Sequence, residues 1–360
     1  MQRALSIPKP SSVSNRQDST WKRFARSLGL RGEKRPMLDK LPTRVGIFAK
    51  DLCGASFDVR DSIQKARQHG LKGSFIGTAL SASPTLDQWE LEDIRQMAQE
   101  SGITLGLSIG MLNPYRPERS SDACKVGNGD LAKGLLRLTE AALRLGQQNV
   151  MLVVGKEEDR FDPSVAWPAQ LAEVSSFLKR LEPGLRSLGA RILIKTHEEI
   201  TSWEVRRLLD VLDPDLFGAA FDPVNVIVRM EDPIAAADRL AGFIRQVHVD
   251  DARLLWSGGG FARLLCPVGT GCIDWSGLIS KIHASDPDAW YWGEIHRAEL
   301  DTPFRNEGWF DSHPDIEVSE LATWLSKGMP LSEPPMSLVG NIEERIEKVT
   351  SFLTRELIYG

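Results

Sequence analysis

The amino-acid sequence predicts an α/β fold, a (β/α)8 barrel, and three observations carry this prediction. Strand-like apolar runs alternate with amphipathic stretches from Arg44 onward, eight such runs can be counted, and each of the last four is followed by a polar cluster. Strands that alternate with helices indicate a parallel sheet. In a closed barrel the carboxyl ends of the strands meet at one mouth, where catalytic groups gather. We therefore expect the polar clusters to share one site.

The eight candidate strands are short and apolar, and helix-like segments separate them. They cover residues 45–48, 73–78, 103–109, 150–154, 192–194, 217–221, 244–249 and 291–294. Glycines that favour helix ends, such as Gly70, Gly102 and Gly146, follow several of the amphipathic segments. The sequence has neither a Gly-x-Gly-x-x-Gly after a strand nor a Gly-x4-Gly-Lys-Ser/Thr motif, so nucleotide-binding folds have no motif support.

The chain divides into three regions. Residues 43–327 are assigned to the barrel, residues 1–42 to a flexible N-terminal extension, and residues 328–360 to a linker and an extra C-terminal helix. The first 35 residues contain nine Lys/Arg against two Asp/Glu and are rich in serine, so a transit peptide is the alternative for the extension. Residues 328–335 are rich in Pro and Ser, and Asn341 then caps a helix with apolar residues at helical spacing.

Net charge, the length of apolar runs and the spacing of cysteines disfavour several classes of protein. A net charge of −5 over 360 residues argues against a nucleic-acid partner, whose site would be basic. No apolar run approaches the roughly 18 residues of a membrane span, so no membrane association is expected. Four scattered cysteines without a Cys-x-x-Cys pair indicate reduced thiols. We expect a cytoplasmic protein, with a mitochondrial location as the alternative, and homo-oligomer formation is left open.

The polar clusters at the last four strand ends contain metal-binding residue types. They are Lys195-Thr196-His197-Glu198-Glu199, Asp222-Pro223-Val224-Asn225, His248-Val249-Asp250-Asp251 and Glu294-Ile295-His296. Asp222, His248 and Glu294 come from successive strands, and adjacent strands lie only about 4.8 Å apart. Their oxygens and nitrogens are donors for Mn, Mg, Co or Zn. A divalent ion held there would polarise a carbonyl group and stabilise an enediolate.

This order of motifs resembles the xylose isomerase-like TIM barrel superfamily of sugar (phosphate) isomerases and epimerases. The resemblance covers about residues 44–327 and is clearest at strands five to eight and in the Gly-x-Gly-x-Ile-Asp segment of residues 269–274. In that family an Asp of strand six, a His of strand seven and a Glu of strand eight bind the metal. The resemblance thus implies that Asp222, His248 and Glu294 are metal ligands.

One departure from the family pattern concerns strand five. The family has a metal-binding Glu there, whereas this chain has Lys195, two residues before His197. Glu199, and Glu198 as the alternative, could replace the missing ligand. Lys195 could act in acid/base chemistry with a lowered pKa, or it could pair with a carboxylate and hold the site together. The variant resembles a branch acting on oxidised sugar acids, such as the 3-oxo-isoapionate decarboxylases.

Further side chains are candidates for substrate binding at the mouth. Arg116 is suited to a carboxylate or phosphate and Asn113 to a hydroxyl group. A turn with a solvated Arg is the alternative interpretation of this segment. Asn225, Asp250 and His296 belong to the clusters at strands six to eight, and we predict that they contact the substrate as well.

The leading hypothesis is a metal-dependent isomerase or epimerase of a small carbohydrate or sugar acid. Lys195 or His197 would move the proton next to the carbonyl, and Glu294 would take part in the chemistry. A decarboxylase or lyase of an oxo-sugar acid would use the same site. A non-catalytic sugar-binding barrel is the alternative of another class. A nuclease of the endonuclease IV type is disfavoured because only six histidines and an acidic balance are present.

Overall fold

Eight parallel strands form a closed barrel in the computed structural model, which describes residues 44–295, 299–328 and 342–356. The predicted N-terminal extension and most of the predicted linker lie outside these residues. The barrel strands are β1 (Val45–Phe48), β2 (Gly73–Phe75), β3 (Thr104–Met111), β4 (Asn149–Val153), β5 (Arg191–Lys195), β6 (Phe217–Phe221), β7 (Ile244–Val249) and β10 (Trp290–Gly293). The order β1-β10-β7-β6-β5-β4-β3-β2 confirms the predicted (β/α)8 barrel.

Helices connect successive barrel strands, and two further helices follow the last barrel strand, β10. They are α1 (Ala49–Cys53), α2 (Val59–Gln68), α3 (Gln88–Glu100), α4 (Ser121–Val126), α5 (Leu131–Arg144), α6 (Glu157–Arg160), α7 (Trp167–Leu188), α8 (Ser202–Asp210), α9 (Pro223–Ile227), α10 (Pro233–Arg239), α11 (Trp275–Ser285), α12 (Val318–Lys327) and α13 (Ile342–Ser351). None of these helices combines the length and the apolar character that a bilayer span requires. Asp side chains cap several of them; Asp58, for example, accepts from the backbone N–H of Arg60 at the start of α2.

Aromatic and aliphatic side chains fill the barrel interior. The inner core consists of Phe48, Phe75, Met151, Leu193, Ala220 and Trp292. Gly46 and Gly73 make room for the Trp292 ring, because a Cβ atom at either position would lie within 2.7 Å of ring carbons. This close approach explains why β1 and β2 carry glycines at these points.

A small antiparallel sheet follows strand β7 and was not predicted from the sequence. Its strands are β8 (Asp251–Trp256), β9 (Phe261–Cys266) and β11 (Leu300–Thr302), in the order β11-β9-β8. The Ser-Gly-Gly-Gly segment at residues 257–260 joins β8 to β9 between two apolar runs. Such a glycine-rich connection is a recognised hairpin signal, so the sheet could have been predicted.

The predicted C-terminal helix packs on the barrel wall. Val349 of α13 and Leu353, just beyond it, lie over Gly293 of β10, whose Cβ position would be 3.0 and 3.1 Å from their methyl carbons. Ile47 of β1 contacts the same position. Phe352 packs its ring against Trp275 at the start of α11, with centroids 5.4 Å apart. The C-terminal segment therefore covers the barrel wall where β10 meets β1.

Candidate active site

Four ionisable side chains from four strand ends form one buried cluster at the barrel mouth. Lys195 is the last residue of β5, Asp222 follows β6, His248 lies on β7 and Glu294 follows β10. All four are at most 7% exposed. One ligating atom from each of Asp222, His248 and Glu294 lies within 4.8 Å of the other two. The structure thus brings together the three residues that the sequence singled out, with Lys195 beside them.

Lys195 bridges the two carboxylates of the cluster. Its Nζ atom donates to Glu294 Oε2 at 2.8 Å and lies 3.0 Å from Asp222 Oδ2. Burial alone would lower the pKa of Lys195, but the charges of Glu294 and Asp222 outweigh it and raise the pKa above its ordinary value. The sequence left open whether this lysine has a lowered pKa or forms an ion pair. The contacts favour the ion pair, with Lys195 as an ammonium.

Glu294 has two further polar neighbours. His248 Nδ1 lies 2.6 Å from Glu294 Oε2, and Lys50 Nζ, on helix α1, lies 3.3 Å from Glu294 Oε1. Burial, and next the charge of Lys195, lower the pKa of His248 below its usual value. A neutral His248 that donates from Nδ1 satisfies the carboxylate, and its Nε2 atom then faces the side-chain amide of Gln246 at 3.5 Å. Lys50 is half-exposed, so it approaches the cluster from the solvent side.

Asp222 is oriented by a chain of hydrogen bonds. Its Oδ2 atom accepts from Asn225 Nδ2 at 2.9 Å, and its backbone N–H donates to the Thr196 hydroxyl at 2.7 Å. Asn225 Oδ1 in turn accepts from Arg263 Nη1 at 2.9 Å. Arg263 lies on β9 and is fully buried. The small sheet therefore supplies the arginine that positions Asn225, which was predicted to contact substrate and is engaged here with Asp222.

His197 and Glu199 form a separate pair just beyond β5. His197 Nδ1 lies 2.5 Å from Glu199 Oε2, and Glu199 Oε1 accepts from the Gly155 N–H at 3.3 Å. Glu199 is buried, while about a quarter of the His197 side chain is exposed. Glu199 is not part of the three-residue group described above. Glu198, the alternative fourth ligand, instead faces Arg263 at 3.4 Å.

Two substrate-binding candidates of strand three are engaged with other protein groups. Asn113 is buried, donates from Nδ2 to Gln170 Oε1 at 2.7 Å and accepts from the Tyr115 N–H. Arg116 forms an ion pair with Asp162 and lies 3.9 Å from Asp159. The bond from the Tyr115 N–H to Asn113 fits the predicted turn, whereas Arg116 is held in ion pairs instead of being solvated. Substrate binding by either residue stays a prediction.

The remaining candidates lie around strands seven and eight. Asp250 is buried, and both its carboxylate oxygens accept from Arg345 Nη2 of α13, at 3.1 and 2.9 Å. His296 lies outside the described residues. The Gly-x-Gly-x-Ile-Asp segment has a structural role, because Gly269 N and Gly271 N donate to Asp251 Oδ2 at 3.0 and 3.1 Å. The Asp274 side chain ends this segment by capping α11.

An apolar floor lies beneath the cluster. Phe48 and Phe75 stack with ring centroids 4.1 Å apart, and the His248 ring lies 5.4 Å from Phe48 and 6.2 Å from Phe75. A cavity of about 600 Å³ opens elsewhere, between α7, α8 and residues 308–314, and none of the four cluster residues lines it. The low-polarity floor strengthens the charge interactions of the cluster. The lining of the outer cavity includes a different buried ion pair, between Arg160 and Glu204 at 2.8 Å.

Three side chains near the site were missed in the sequence. Lys50 and Arg263 contact the clusters directly, and Arg345 holds Asp250. The sequence does contain a signal for Lys50: it lies just after the end of strand β1, and the other site residues likewise lie at or just after strand ends. Arg263 and Arg345 lie on elements added to the basic barrel, and no local pattern indicates where these elements pack.

The sequence and the fold resemble those of known proteins. A sequence model described as "Xylose isomerase-like TIM barrel" matches residues 63–324, well over half of the chain. The chain belongs to this family. Solved structures with a similar fold include a D-psicose 3-epimerase in the presence of D-fructose, which is 14% identical with a TM-score of 0.59, over 88% of this chain and all of that one. At this identity the likeness shows the fold alone.

Two curated relatives share parts of the sequence. The 3-oxo-isoapionate decarboxylase of Pectobacterium atrosepticum is 23% identical over 57% of this chain and 66% of its own length. The protein YihM of Escherichia coli is 26% identical over 37% of this chain and 41% of its own length. The chain therefore spans less than two thirds of either relative.

Proposed function

We propose that this chain is an enzyme that isomerises or epimerises a small sugar or sugar acid by moving a proton at the carbon next to a carbonyl group. The observation that carries the proposal is the buried cluster of Lys195, Asp222, His248 and Glu294 at the barrel mouth. Burying so many ionisable groups costs stability, and such clusters concentrate at functional sites. Family membership supports a carbohydrate substrate.

The base in this proposal is His197, oriented by Glu199. The bond from Nδ1 to the buried Glu199 carboxylate fixes the imidazole ring and leaves Nε2 to take a proton. Lys195 is a poor base because its two ion pairs keep it protonated. It is suited instead to stabilising negative charge on the substrate oxygen as the carbon–hydrogen bond breaks.

The four cluster residues do not fit the divalent ion that the sequence predicts. Asp222, His248 and Glu294 are donors that Mn, Mg, Co or Zn accept. However, the Lys195 ammonium is within 3.0 Å of both carboxylates. A second cation bound to the same oxygens would meet it at close range in a buried site. No step of the proposed reaction is therefore assigned to a metal.

A decarboxylase or lyase of an oxo-sugar acid is the second candidate. It is favoured by the cationic side chains around Glu294 and by the related decarboxylase of Pectobacterium atrosepticum. In this reaction the bond to the carboxylate breaks, CO2 leaves, and the electron pair stays on the substrate as an enediolate that is then protonated. The two candidates differ in whether a proton or CO2 departs first.

A substrate panel tests both candidates. Keto-sugars and oxo-sugar acids are incubated with the purified chain in deuterium oxide, with and without Mn, while CO2 release and deuterium uptake are recorded. Deuterium uptake without CO2 supports the isomerase or epimerase, and CO2 release supports the second candidate. If no compound reacts but some bind, the non-catalytic sugar-binding barrel replaces both.

A further inference from the structure

The ammonium groups of two lysines lie beside the two carboxylates of the cluster. Together they carry the same charge as a divalent ion. Lys195 contacts both Asp222 and Glu294, and Lys50 contacts the second oxygen of Glu294. Two ammonium groups therefore face two carboxylates. The net charge of these four groups is zero, as it would be for the same two carboxylates bound to one doubly charged ion. Because the acids are buried, they require such compensation whether or not an ion is present.

The hydrogen bonds at Glu294, as well as the charges, bear on whether an ion can bind. Glu294 Oε2 is shared between Lys195 Nζ at 2.8 Å and His248 Nδ1 at 2.6 Å. An ion held by Asp222, His248 and Glu294 would need these atoms at about 2.0–2.6 Å from itself. Both Nδ1 of His248 and Oε2 of Glu294 are already engaged with each other. An ion bound through these two atoms would require this hydrogen bond to break and the Lys195 ammonium to move away from Glu294 Oε2.

We propose that the Lys195 ammonium takes the place of the divalent ion, so that the centre works without a metal. The inference rests on the proposed function for its chemistry, since Lys195 would donate an N–H to the substrate oxygen that gains negative charge. The proton from the substrate carbon goes to the base, and the electron pair remains on the substrate. No oxidant, reductant or further reactant is needed for this step.

Metal binding measured without substrate tests the inference separately from the proposed function. The wild-type chain is stripped with a chelator and titrated with Mn, and bound ion is followed by electron paramagnetic resonance and elemental analysis. We expect less than about 0.2 Mn per chain at 0.1 mM free ion, roughly the occupancy of a site weaker than 0.4 mM. One tightly bound Mn per wild-type chain would overturn the inference.

Two lysine variants make the test specific to position. Lys195→Gln removes the ammonium that bridges both carboxylates, and Lys50→Gln, the matched control, removes the one that contacts Glu294 alone. We expect Lys195→Gln to bind Mn at least about tenfold more tightly than wild type, because the like charge is gone. Lys50→Gln should stay within about twofold of wild type, because the Lys50 ammonium is half-exposed, is screened by solvent and contacts Glu294 alone. Adding His248→Ala to Lys195→Gln should abolish the gain.

Each possible result of the Mn titrations either supports or contradicts the inference. Equal gains in Lys50→Gln and Lys195→Gln, or no gain in a folded Lys195→Gln chain, contradict it. Circular dichroism establishes folding, and if Lys195→Gln fails to fold, the wild-type titration decides alone. A wild-type chain that turns over a panel compound but binds no Mn supports both proposals. Failure to find a substrate would leave the metal titration fully interpretable.

Discussion

Arg345 of the C-terminal helix donates from Nη2 to both carboxylate oxygens of Asp250, directly after barrel strand β7. Both side chains are buried, at 6% and 3% exposure. Asp250 lies two residues after His248, so this ion pair ties the C-terminal helix to the strand end that carries part of the candidate site. The added helix thus has a structural connection to the barrel mouth.

Breaking this ion pair should destabilise the protein. Arg345→Met leaves Asp250 buried without its arginine, and we expect a loss of about 3 kcal/mol in the free energy of unfolding. Urea denaturation followed by fluorescence measures it. Asp250→Asn in the Arg345→Met chain removes the buried charge and should recover at least about half of the loss. A double variant as unstable as the sum of both single variants would contradict the assignment.

Glu294 is expected to be essential for turnover. Glu294→Gln keeps the shape of the side chain but removes the charge that faces Lys195, Lys50 and His248. We expect kcat to fall by about a hundredfold or more with the fold intact, because the electrostatic arrangement of the cluster is lost. Steady-state kinetics with the substrate found in the panel, together with circular dichroism, check this. Wild-type activity in a folded Glu294→Gln chain would eliminate the assigned site.

The His197–Glu199 pair should control proton transfer. His197→Asn is expected to slow deuterium exchange at the substrate carbon by about a hundredfold or more. Glu199→Gln leaves the imidazole but weakens its orientation, and we expect about a tenfold loss. Glu198→Gln is the matched control, since Glu198 contacts Arg263 rather than His197, and it should change exchange by less than about threefold. A larger effect for Glu198→Gln than for Glu199→Gln would reverse the assignment.

A buried histidine outside the site should make stability depend on pH. Arg229 Nη1 lies 3.1 Å from His313 Nε2, and an arginine can only donate, so Nε2 carries no proton. His313 Nδ1 then donates to the Trp309 carbonyl at 2.8 Å. Burial first, and then the charges of Arg160 and Arg229, lower the pKa of His313 to about 2.

The sign of this pH dependence follows from proton binding. The unfolded chain protonates His313 below about pH 6.5, while the folded chain does so only near pH 2, so stability is lost as the pH falls through this window. The contribution is at most about 1.4 kcal/mol per pH unit. Urea denaturation at pH 7.5 and 5.0 should show a smaller difference for His313→Gln than for wild type. Equal differences in the two proteins would mean that His313 does not titrate on unfolding.

Local patterns in the sequence were sufficient for the barrel and for part of the site. All eight predicted strands are present, with differences of a few residues at their ends, such as β3 reaching Met111 and β10 ending at Gly293. Asp222, His248 and Glu294 could be grouped in advance because parallel strands in a barrel end at the same mouth. The chain order alone therefore determines which strand ends become neighbours once the barrel closes.

The partners of each charged side chain were decided only by tertiary structure. Lys195 and Glu294 are 99 residues apart, and Asp250 and Arg345 are 95 apart. The sequence left Lys195 with two opposite expectations, a lowered pKa or an ion pair, because the direction depends on which charges lie within a few ångströms. Such distances result from the packing of the whole barrel with its added sheet and helix. Local sequence determines which segments form strands and helices, whereas side-chain contacts between distant segments determine the electrostatics.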